Sequence, residues 1–254
     1  MAQFQTRATS FCRDAAAGFA ALLSVIAPDI SAKADDTPPA LGWTGQIALG
    51  GSLATGNTDR QALDLDGRLQ LQSEHRQDRF KLLANLAREN GVINAERTEG
   101  AAQSNYDISK DKFYVLGFTQ YIRDRFSGFS YEAEIGPGVG YRFVRTDRLK
   151  FSVELAGGYR HAALRGTAGH DDQIFTRGTA TVEYKLSDNA QLANEALVTG
   201  DDERIKIENT FSVTSTLIRK VAPRISINAR YSTSPPVGVK RTDTLSKVAL
   251  VYAF

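Results

Sequence analysis

The sequence predicts an all-β protein, a transmembrane antiparallel up-and-down β-barrel of about 12 strands. Three observations predict it. Apolar and polar residues alternate with a period of two, short and longer links alternate between these segments, and aromatic residues gather near the segment ends. Composition alone favours a soluble protein, because 24% of the residues are charged and the mean hydropathy is −0.30. A barrel explains the same composition, since its strands alternate apolar with polar residues.

Composition and residue order also exclude two classes of protein. No stretch approaches the roughly 18 uncharged apolar residues of a membrane-spanning helix. The 31 basic and 29 acidic residues are scattered along the chain, so no basic patch indicates nucleic-acid binding.

The first 34 residues have the features of a cleaved secretory signal. Basic residues precede the apolar run 15–27, and Ala32 and Ala34 supply the small residues that a signal peptidase reads. The single cysteine, Cys12, lies in this segment, so the mature chain has no thiol for a disulfide or a metal site. We expect residues 35–254 to form one barrel domain in the bacterial outer membrane.

Alternation along the mature chain defines the predicted strands. It is clearest at 62–72, where leucines alternate with Asp64, Asp66 and Arg68. A helix would spread these charges around its surface, whereas a strand separates them from the leucines onto the opposite face. The same pattern recurs, although 112–123 is apolar on both faces and 98–109 has a small, polar face. The predicted strands are 42–55, 60–73, 79–90, 98–109, 112–123, 129–143, 149–160, 173–186, 190–200, 204–217, 224–233 and 243–254.

Links between these strands differ in length from one to the next. If the chain starts in the periplasm, the periplasmic links are mostly short: 74–78, 110–111, 144–148, 187–189 and 219–223. The opposite links include several longer ones: 91–97, 123–128, 161–172, 199–203 and 234–242. Short turns on one side and longer loops on the other are typical of outer-membrane barrels.

Aromatic residues are expected to form two girdles at the membrane interfaces, where amphipathic rings are favoured. The periplasmic girdle comprises Trp43, Phe80, Phe113, Tyr141, Phe143, Phe151, Tyr184, Tyr252 and Phe254. The outer girdle comprises Tyr121, Phe129, Tyr159, Phe175 and Tyr231. Tyr252 and Phe254 also resemble the aromatic C-terminal signature through which the barrel-assembly machinery recognises its substrates, which implies that machinery as a partner during biogenesis.

Several short motifs together resemble the salt-induced outer membrane protein family, a bacterial outer-membrane β-barrel domain with no established function. The resemblance covers about 42–254, and its motifs are Trp43, TGNT at 55–58, NYD at 105–107, GPGVGY at 136–141, GGYR at 157–160 and YAF at 252–254. It implies an outer-membrane barrel connected with salt stress and implies no reaction.

Charged residues on the polar strand faces are the candidates for the lumen lining. The main candidates are Asp64, Asp66, Arg68, Glu132, Glu134, Arg142, Lys150, Glu154 and Arg160. Further candidates are Lys81, Glu99, Asp107, Arg177, Glu183, Lys185, Lys206, Glu208, Arg224 and Arg230. Either these charges pair and close the lumen, or they line a narrow aqueous path. Their nearly balanced signs argue against a strongly ion-selective pore.

The predicted outer loops carry a second set of candidates, for contact with lipopolysaccharide. Adjacent carboxylates suit divalent cations that bridge its phosphates, and basic side chains suit the phosphates directly. Hydrated loops with no ligand are the competing interpretation. The residues are Arg123, Arg125, Arg165, Asp171, Asp172, Asp201, Asp202, Lys240 and Arg241.

Catalytic and cofactor motifs are scarce. The glycines at 136, 138 and 140 occupy every second position of a strand with no helix after it, which favours a bend or a close backbone approach over a dinucleotide site. A lipid hydrolase is the enzyme alternative, with His161 and either Ser130 or Ser232 at the outer rim. None of these residues lies in a hydrolase motif. We therefore expect a non-enzymatic protein without cofactor or metal, which serves envelope integrity under salt or osmotic stress or admits small solutes.

Overall fold

The chain forms a closed antiparallel barrel of twelve strands in a computed structural model. The structure describes residues 41–54, 60–109, 112–166, 169–202, 204–216, 220–234 and 241–254, so the predicted signal segment and the motif at 55–58 lie outside the described residues. Each strand pairs with its sequence neighbours, and β1 closes the barrel against β12. The predicted fold class is therefore confirmed. The strands are β1 Gly42–Ala54, β2 Arg60–Gln72, β3 Arg76–Glu89, β4 Val92–Ser109, β5 Phe113–Asp124, β6 Phe129–Arg145, β7 Leu149–Leu164, β8 His170–Ser187, β9 Ala190–Gly200, β10 Ile205–Ser215, β11 Val221–Ser232 and β12 Thr242–Ala253.

The two faces of the wall differ as the alternation requires. On β12, Val248 is 63% exposed on the outer surface, whereas Val251 on the inner face is 3% exposed. Outward apolar side chains form a belt around the barrel, with Ile135, Leu155 and Ile174 more than half exposed. An apolar surface of this extent marks contact with lipid or with another protein. Within the described ranges, no helix is long and apolar enough to cross a membrane.

Aromatic rings stack on the outer surface near one end of the barrel. Trp43 stacks on Phe80 with ring centroids 6.5 Å apart, and Tyr252 stacks on Phe254 at 6.2 Å. Phe254 lies over Gly45, where a Cβ atom would stand 2.6 Å from the phenylalanine Cζ, and the two residues exchange backbone hydrogen bonds of 2.9 Å. Placing Phe175 in the outer girdle was wrong, because the ring points inward and is 1% exposed.

Two predicted loops are in fact strand. β3 and β4 are joined by the two residues Asn90 and Gly91, with φ of 50° and 80°, so the predicted loop at 91–97 belongs to β4. Two consecutive residues with positive φ are typical of the tight type I′ hairpin turn. The predicted loop at 161–172 is also shorter, because β7 continues to Leu164 and β8 begins at His170.

The seam between β1 and β12 is short. The ladder runs over Gln46 to Gly50 against Ala249 to Ala253, whereas all 13 residues of β1 pair with β2. The segment 242–248 of β12 pairs with β11 but has no partner in β1 among the described residues. The barrel is therefore closed less firmly here than elsewhere in its wall.

Candidate functional site: the barrel lumen

A side-chain bridge crosses the interior of the barrel. Arg79 on β3 donates to Glu154 on β7 at 2.6 Å, although β4, β5 and β6 lie between these strands in the wall. A contact between strands so far apart runs through the lumen of a closed barrel. Glu154 also accepts hydrogen bonds from Gln103 Nε2 at 3.1 Å and from the Tyr114 hydroxyl at 2.8 Å. The Glu154 carboxylate therefore holds three side chains in place, those of Arg79, Gln103 and Tyr114.

An apolar cluster covers the inner wall beside this bridge. Its members, from β5, β7 and β8, are Tyr114, Leu116, Phe118, Ala156 and Phe175. Glycines in the wall make room for the rings, since a Cβ at Gly140 would stand 2.2 Å from Tyr114 Cζ and one at Gly158 would stand 2.7 Å from Phe175 Cζ.

Gly136 serves a different purpose, because it lets two backbones approach. A Cβ there would stand 2.1 Å from the Gly157 carbonyl oxygen and 2.7 Å from the Gly158 Cα. The glycine stripe of β6 therefore accommodates both a close backbone approach and aromatic rings.

Buried ion pairs surround the apolar cluster. Arg142 pairs with Asp107 at 2.6 Å and lies 4.2 Å from the centroid of the Tyr114 ring. Arg177 pairs with Glu134 at 2.6 Å and lies 4.3 Å from the Phe118 ring. Each guanidinium is thus held by a carboxylate and an aromatic face at once, which is favourable for a desolvated cation.

The deepest ion pair joins Arg160 to Asp201. Their atoms are 2.7 Å apart, and the two side chains are 2% and 3% exposed. Arg204 approaches the same Asp201 carboxylate at 3.4 Å. Asp201, which the sequence placed in a cation-binding outer loop, is therefore directed at arginines inside the wall.

The opposite side of the lumen contains a cavity of about 140 Å³. Its lining comes from β1 to β4 and from β11 and β12, so the seam between β1 and β12 forms part of its wall. Asp64 there pairs with Lys247 and accepts a hydrogen bond from Asn85 at 2.7 Å. The charged residues of its lining are Asp64, Asp66, Arg97, Arg224, Arg230 and Lys247.

The remaining lumen candidates have shorter-range partners. Arg68 pairs with Asp66 at 3.0 Å on the same strand, and Lys150 pairs with Glu183 on β8 at 3.3 Å, where both side chains are exposed. Glu132 is buried.

Sequence reasoning missed several residues that the lumen brings together, namely Arg79, Gln103, Tyr114, Arg97 and Lys247. For most of them, the alternation of inward and outward side chains along a strand indicated the inward position. Arg79 shares its face with Lys81, and Lys247 alternates with the outward Val248 and Leu250.

The outer-rim residues do not form one acidic site. Asp171 and Asp172 are adjacent on β8, so they point to opposite faces of the strand and cannot chelate one ion together. Asp172 contacts His161 at 2.6 Å, while Asp171 accepts a hydrogen bond from Gln173 at 3.0 Å. Asp202 is exposed. Within the described ranges, no group of three or more His, Cys, Asp or Glu side chains is arranged to hold a metal ion.

The basic rim residues are also distributed. Arg165 donates to the backbone carbonyls of Asp124 and Phe129, and Arg125 pairs with Glu96 at 3.0 Å. Arg123 and Arg241 are exposed, and Lys240 lies outside the described residues.

These features define the class of the protein: a closed antiparallel barrel with an apolar outer belt and a charged, partly filled lumen. Its fold is similar to the translocator domain of the autotransporter NalP from Neisseria meningitidis, with a TM-score of 0.51 and 15% identity over 95% of this chain and 98% of that one. It is also similar to the COG4313 outer membrane channel from Pseudomonas putida F1, with a TM-score of 0.54 and 10% identity over 90% of this chain and 100% of that one.

The chain belongs to the protein family of unknown function DUF481, whose model matches residues 47–254. A relative is the uncharacterized protein YdiY of Escherichia coli strain K12, which is 21% identical over 166 residues. The alignment covers 65% of this chain and 64% of the relative, so it spans less than two thirds of that protein.

Proposed function

We propose that this protein is a non-enzymatic barrel of the bacterial outer membrane that provides a narrow passage for small solutes. The observation that carries the proposal is the asymmetry of the lumen. Rings and ion pairs fill the side formed by β4 to β8, whereas the cavity of about 140 Å³ is lined mainly by β1, β2, β3, β11 and β12, with Arg97 from β4. The passage runs along that emptier side.

Membrane insertion is supported by the outer surface of the wall. The apolar belt faces lipid, and the stacked aromatics near one end lie at the headgroup level. Tyr252 and Phe254 stack on the outer surface of β12, where the barrel-assembly machinery could reach them during biogenesis. One of the similar structures named above, with a TM-score of 0.54, is an outer membrane channel.

The lipid-hydrolase alternative has little support at the rim. His161 has a carboxylate to orient it, because its Nδ1 lies 2.6 Å from Asp172 Oδ1, and its ring lies 4.8 Å from that of His170. No hydrogen bond joins it to a serine in the part of the chain that the structure describes. A nucleophile activated by this histidine is therefore lacking there.

Conductance in planar bilayers tests the passage. We expect small, reproducible steps from the purified barrel, and larger steps from the Arg79→Ala/Glu154→Ala double variant because the bridge across the lumen is removed. Arg76→Ala is the matched control, since this arginine lies on the same strand but is exposed on the outer face. Absence of steps from the folded wild-type barrel would contradict the proposal.

A role in envelope integrity under salt or osmotic stress is the second candidate. The buried pair Arg160–Asp201 and the filled half of the lumen favour it, because they make a rigid wall. Basic rim residues would add contacts to lipopolysaccharide phosphates. We expect a deletion strain to be sensitive to salt and detergent. Alanine replacement of Arg123, Arg125, Arg165, Lys240 and Arg241 together should reproduce the detergent sensitivity, and unchanged resistance would exclude the lipopolysaccharide contacts.

A further inference from the structure

We propose that the lumen cavity beside the seam binds a small organic carboxylate, with Arg224 as its main anchor. The inference deepens the proposed passage by naming a class of solute, and its physiological meaning rests on that function. The cavity itself is lined by Arg97, Arg224, Arg230 and Lys247 against only two carboxylates, those of Asp64 and Asp66. Two further carboxylates, Glu99 and Glu208, pair with Arg97 and Arg230 from outside the lining, so the positive charge that lacks a paired carboxylate at the cavity is that of Arg224.

Arg224 differs from the other arginines of the lumen in its partners. Its Nε donates to Thr214 Oγ1 at 3.1 Å and its Nη2 to Gln46 Oε1 at 2.7 Å, and both acceptors are neutral. No carboxylate lies within ion-pair distance of it among the described residues. By contrast, Glu134 lies 2.6 Å from Arg177. The charge of Arg224 is thus available to a ligand.

The geometry of Arg224 suits a carboxylate in particular. A guanidinium carries five N–H donors in a planar fork, and the two hydrogen bonds to Thr214 and Gln46 leave three of them for a ligand. Parallel N–H groups match the two oxygens of a carboxylate, and such charge-assisted pairs are stronger than neutral hydrogen bonds. Gln46 and Thr214 also hold the side chain in place, so that less freedom is lost when a ligand binds.

The rest of the lining fits a carbon skeleton. Leu83, Leu245, Ala48 and Ala249 contribute apolar surface to the same cavity. Its volume of about 140 Å³ is close to that of engineered cavities of about 150 Å³ that accept benzene. A ligand with one ring or a short carbon chain therefore fits, whereas a bare inorganic anion would leave the leucine side unfilled.

The other cations of the lining have carboxylate partners. Lys247 is paired with Asp64, Arg97 with Glu99 at 3.0 Å, and Arg230 with Glu208 at 3.4 Å. These carboxylates offset the charges of the three cations, which leaves Arg224 as the cation that is available to a ligand.

Isothermal titration calorimetry on the refolded full-length barrel in detergent measures the binding affinity of the site. The probe is benzoate, and its uncharged analogue benzamide is the matched ligand. We expect benzoate to bind at least tenfold more tightly than benzamide. Titration into detergent alone supplies the blank. Equal affinities would overturn the proposal, and so would displacement of benzoate by an equal concentration of inorganic phosphate, because the site would then recognise charge alone.

Variants of Arg224 test the anchor. We expect Arg224→Gln to weaken benzoate binding about tenfold or more, and Arg224→Lys to weaken it less, because the charge stays and the fork is lost. Arg148→Gln is the control, since this arginine lies in the β6–β7 turn over the Tyr184 ring. If Arg224→Gln does not refold, the benzoate affinity of Arg224→Lys is the deciding measurement. Unchanged affinity in that variant would exclude a bidentate contact between the guanidinium and the carboxylate. Absence of benzoate binding to the wild-type barrel, with conductance steps intact, would reject this inference and spare the passage. Benzoate binding to a wild-type barrel that gives no conductance steps would reject the passage and leave the binding site standing.

Discussion

The lumen is filled in different ways on the two sides of the barrel. From β4 to β8 the inner wall combines glycines with large rings, and ion pairs such as Arg142–Asp107 close around them. From β11 to β2 the inner wall combines small residues such as Ala48 and Gly50 with long charged ones such as Arg224 and Lys247, and it has a short seam and an open cavity. We therefore expect the stability of the barrel and the proposed passage to depend on different strands, so that they respond separately to mutation.

The largest effect is expected at the buried pair of the filled side. Arg160→Ala removes the guanidinium that lies 2.7 Å from the Asp201 carboxylate, which is 3% exposed, while the Arg204 guanidinium stays at 3.4 Å and the Arg204 backbone N–H at 2.9 Å. Breaking a buried pair by removing one partner costs about 3–5 kcal/mol. Urea unfolding of the barrel in lipid vesicles measures the free energy. A loss below about 1 kcal/mol would show that the pair is not desolvated as described.

A smaller loss of stability is expected at the glycine stripe. Gly136→Ala places a Cβ against the Gly157 carbonyl oxygen, and overpacking of this kind costs about 1–3 kcal/mol. Gly117→Ala is the matched control, because nothing lies within 4 Å of the added atom. The same unfolding experiment should separate the two variants. Equal stabilities would mean that β6 and β7 are not as close as the structure places them.

The smallest effect is expected on the cavity side. Lys247→Ala removes the pair with Asp64, whose carboxylate keeps the hydrogen bond from Asn85. The two side chains are 32% and 19% exposed, so solvent screens the pair and we expect a loss of about 1 kcal/mol or less. A loss as large as that of Arg160→Ala would erase the distinction between the two sides.

Local sequence patterns predicted the strands of the wall better than the side-chain contacts inside the lumen. Alternation placed Asp64 and Arg142 on the polar faces because a strand has a fixed period of two. The Asn90-Gly91 dipeptide is a strong hairpin signal, and it forms the tight turn where the alternation pattern predicts a longer loop. The apolar inner face of β5 was visible in the sequence as a strand that is apolar on both sides, and the structure shows that it packs the lumen.

Contacts through the lumen could not be predicted from the sequence. Arg79 meets Glu154 because the closure and stagger of the barrel bring β3 opposite β7, and no spacing along the chain encodes that meeting. Phe175 was misplaced for a related reason, since an aromatic near a strand end fits either a girdle or a pocket over glycine. Asp201 lies in the β9–β10 loop as expected, but its burial against Arg160 of β7 could not be predicted from its position in the loop.

Single-channel recording with a charged thiol reagent tests the central claim that the passage runs along the cavity side. Ser226→Cys lines the cavity, and Ser152→Cys lies on the inner face of β7 in the filled side. Both variants would be made with Cys12 replaced, so that each has a single thiol. We expect a negatively charged methanethiosulfonate to reduce the conductance of the Ser226→Cys barrel and to leave that of the Ser152→Cys barrel unchanged. Equal reduction in both, or reduction at position 152 alone, would contradict the account.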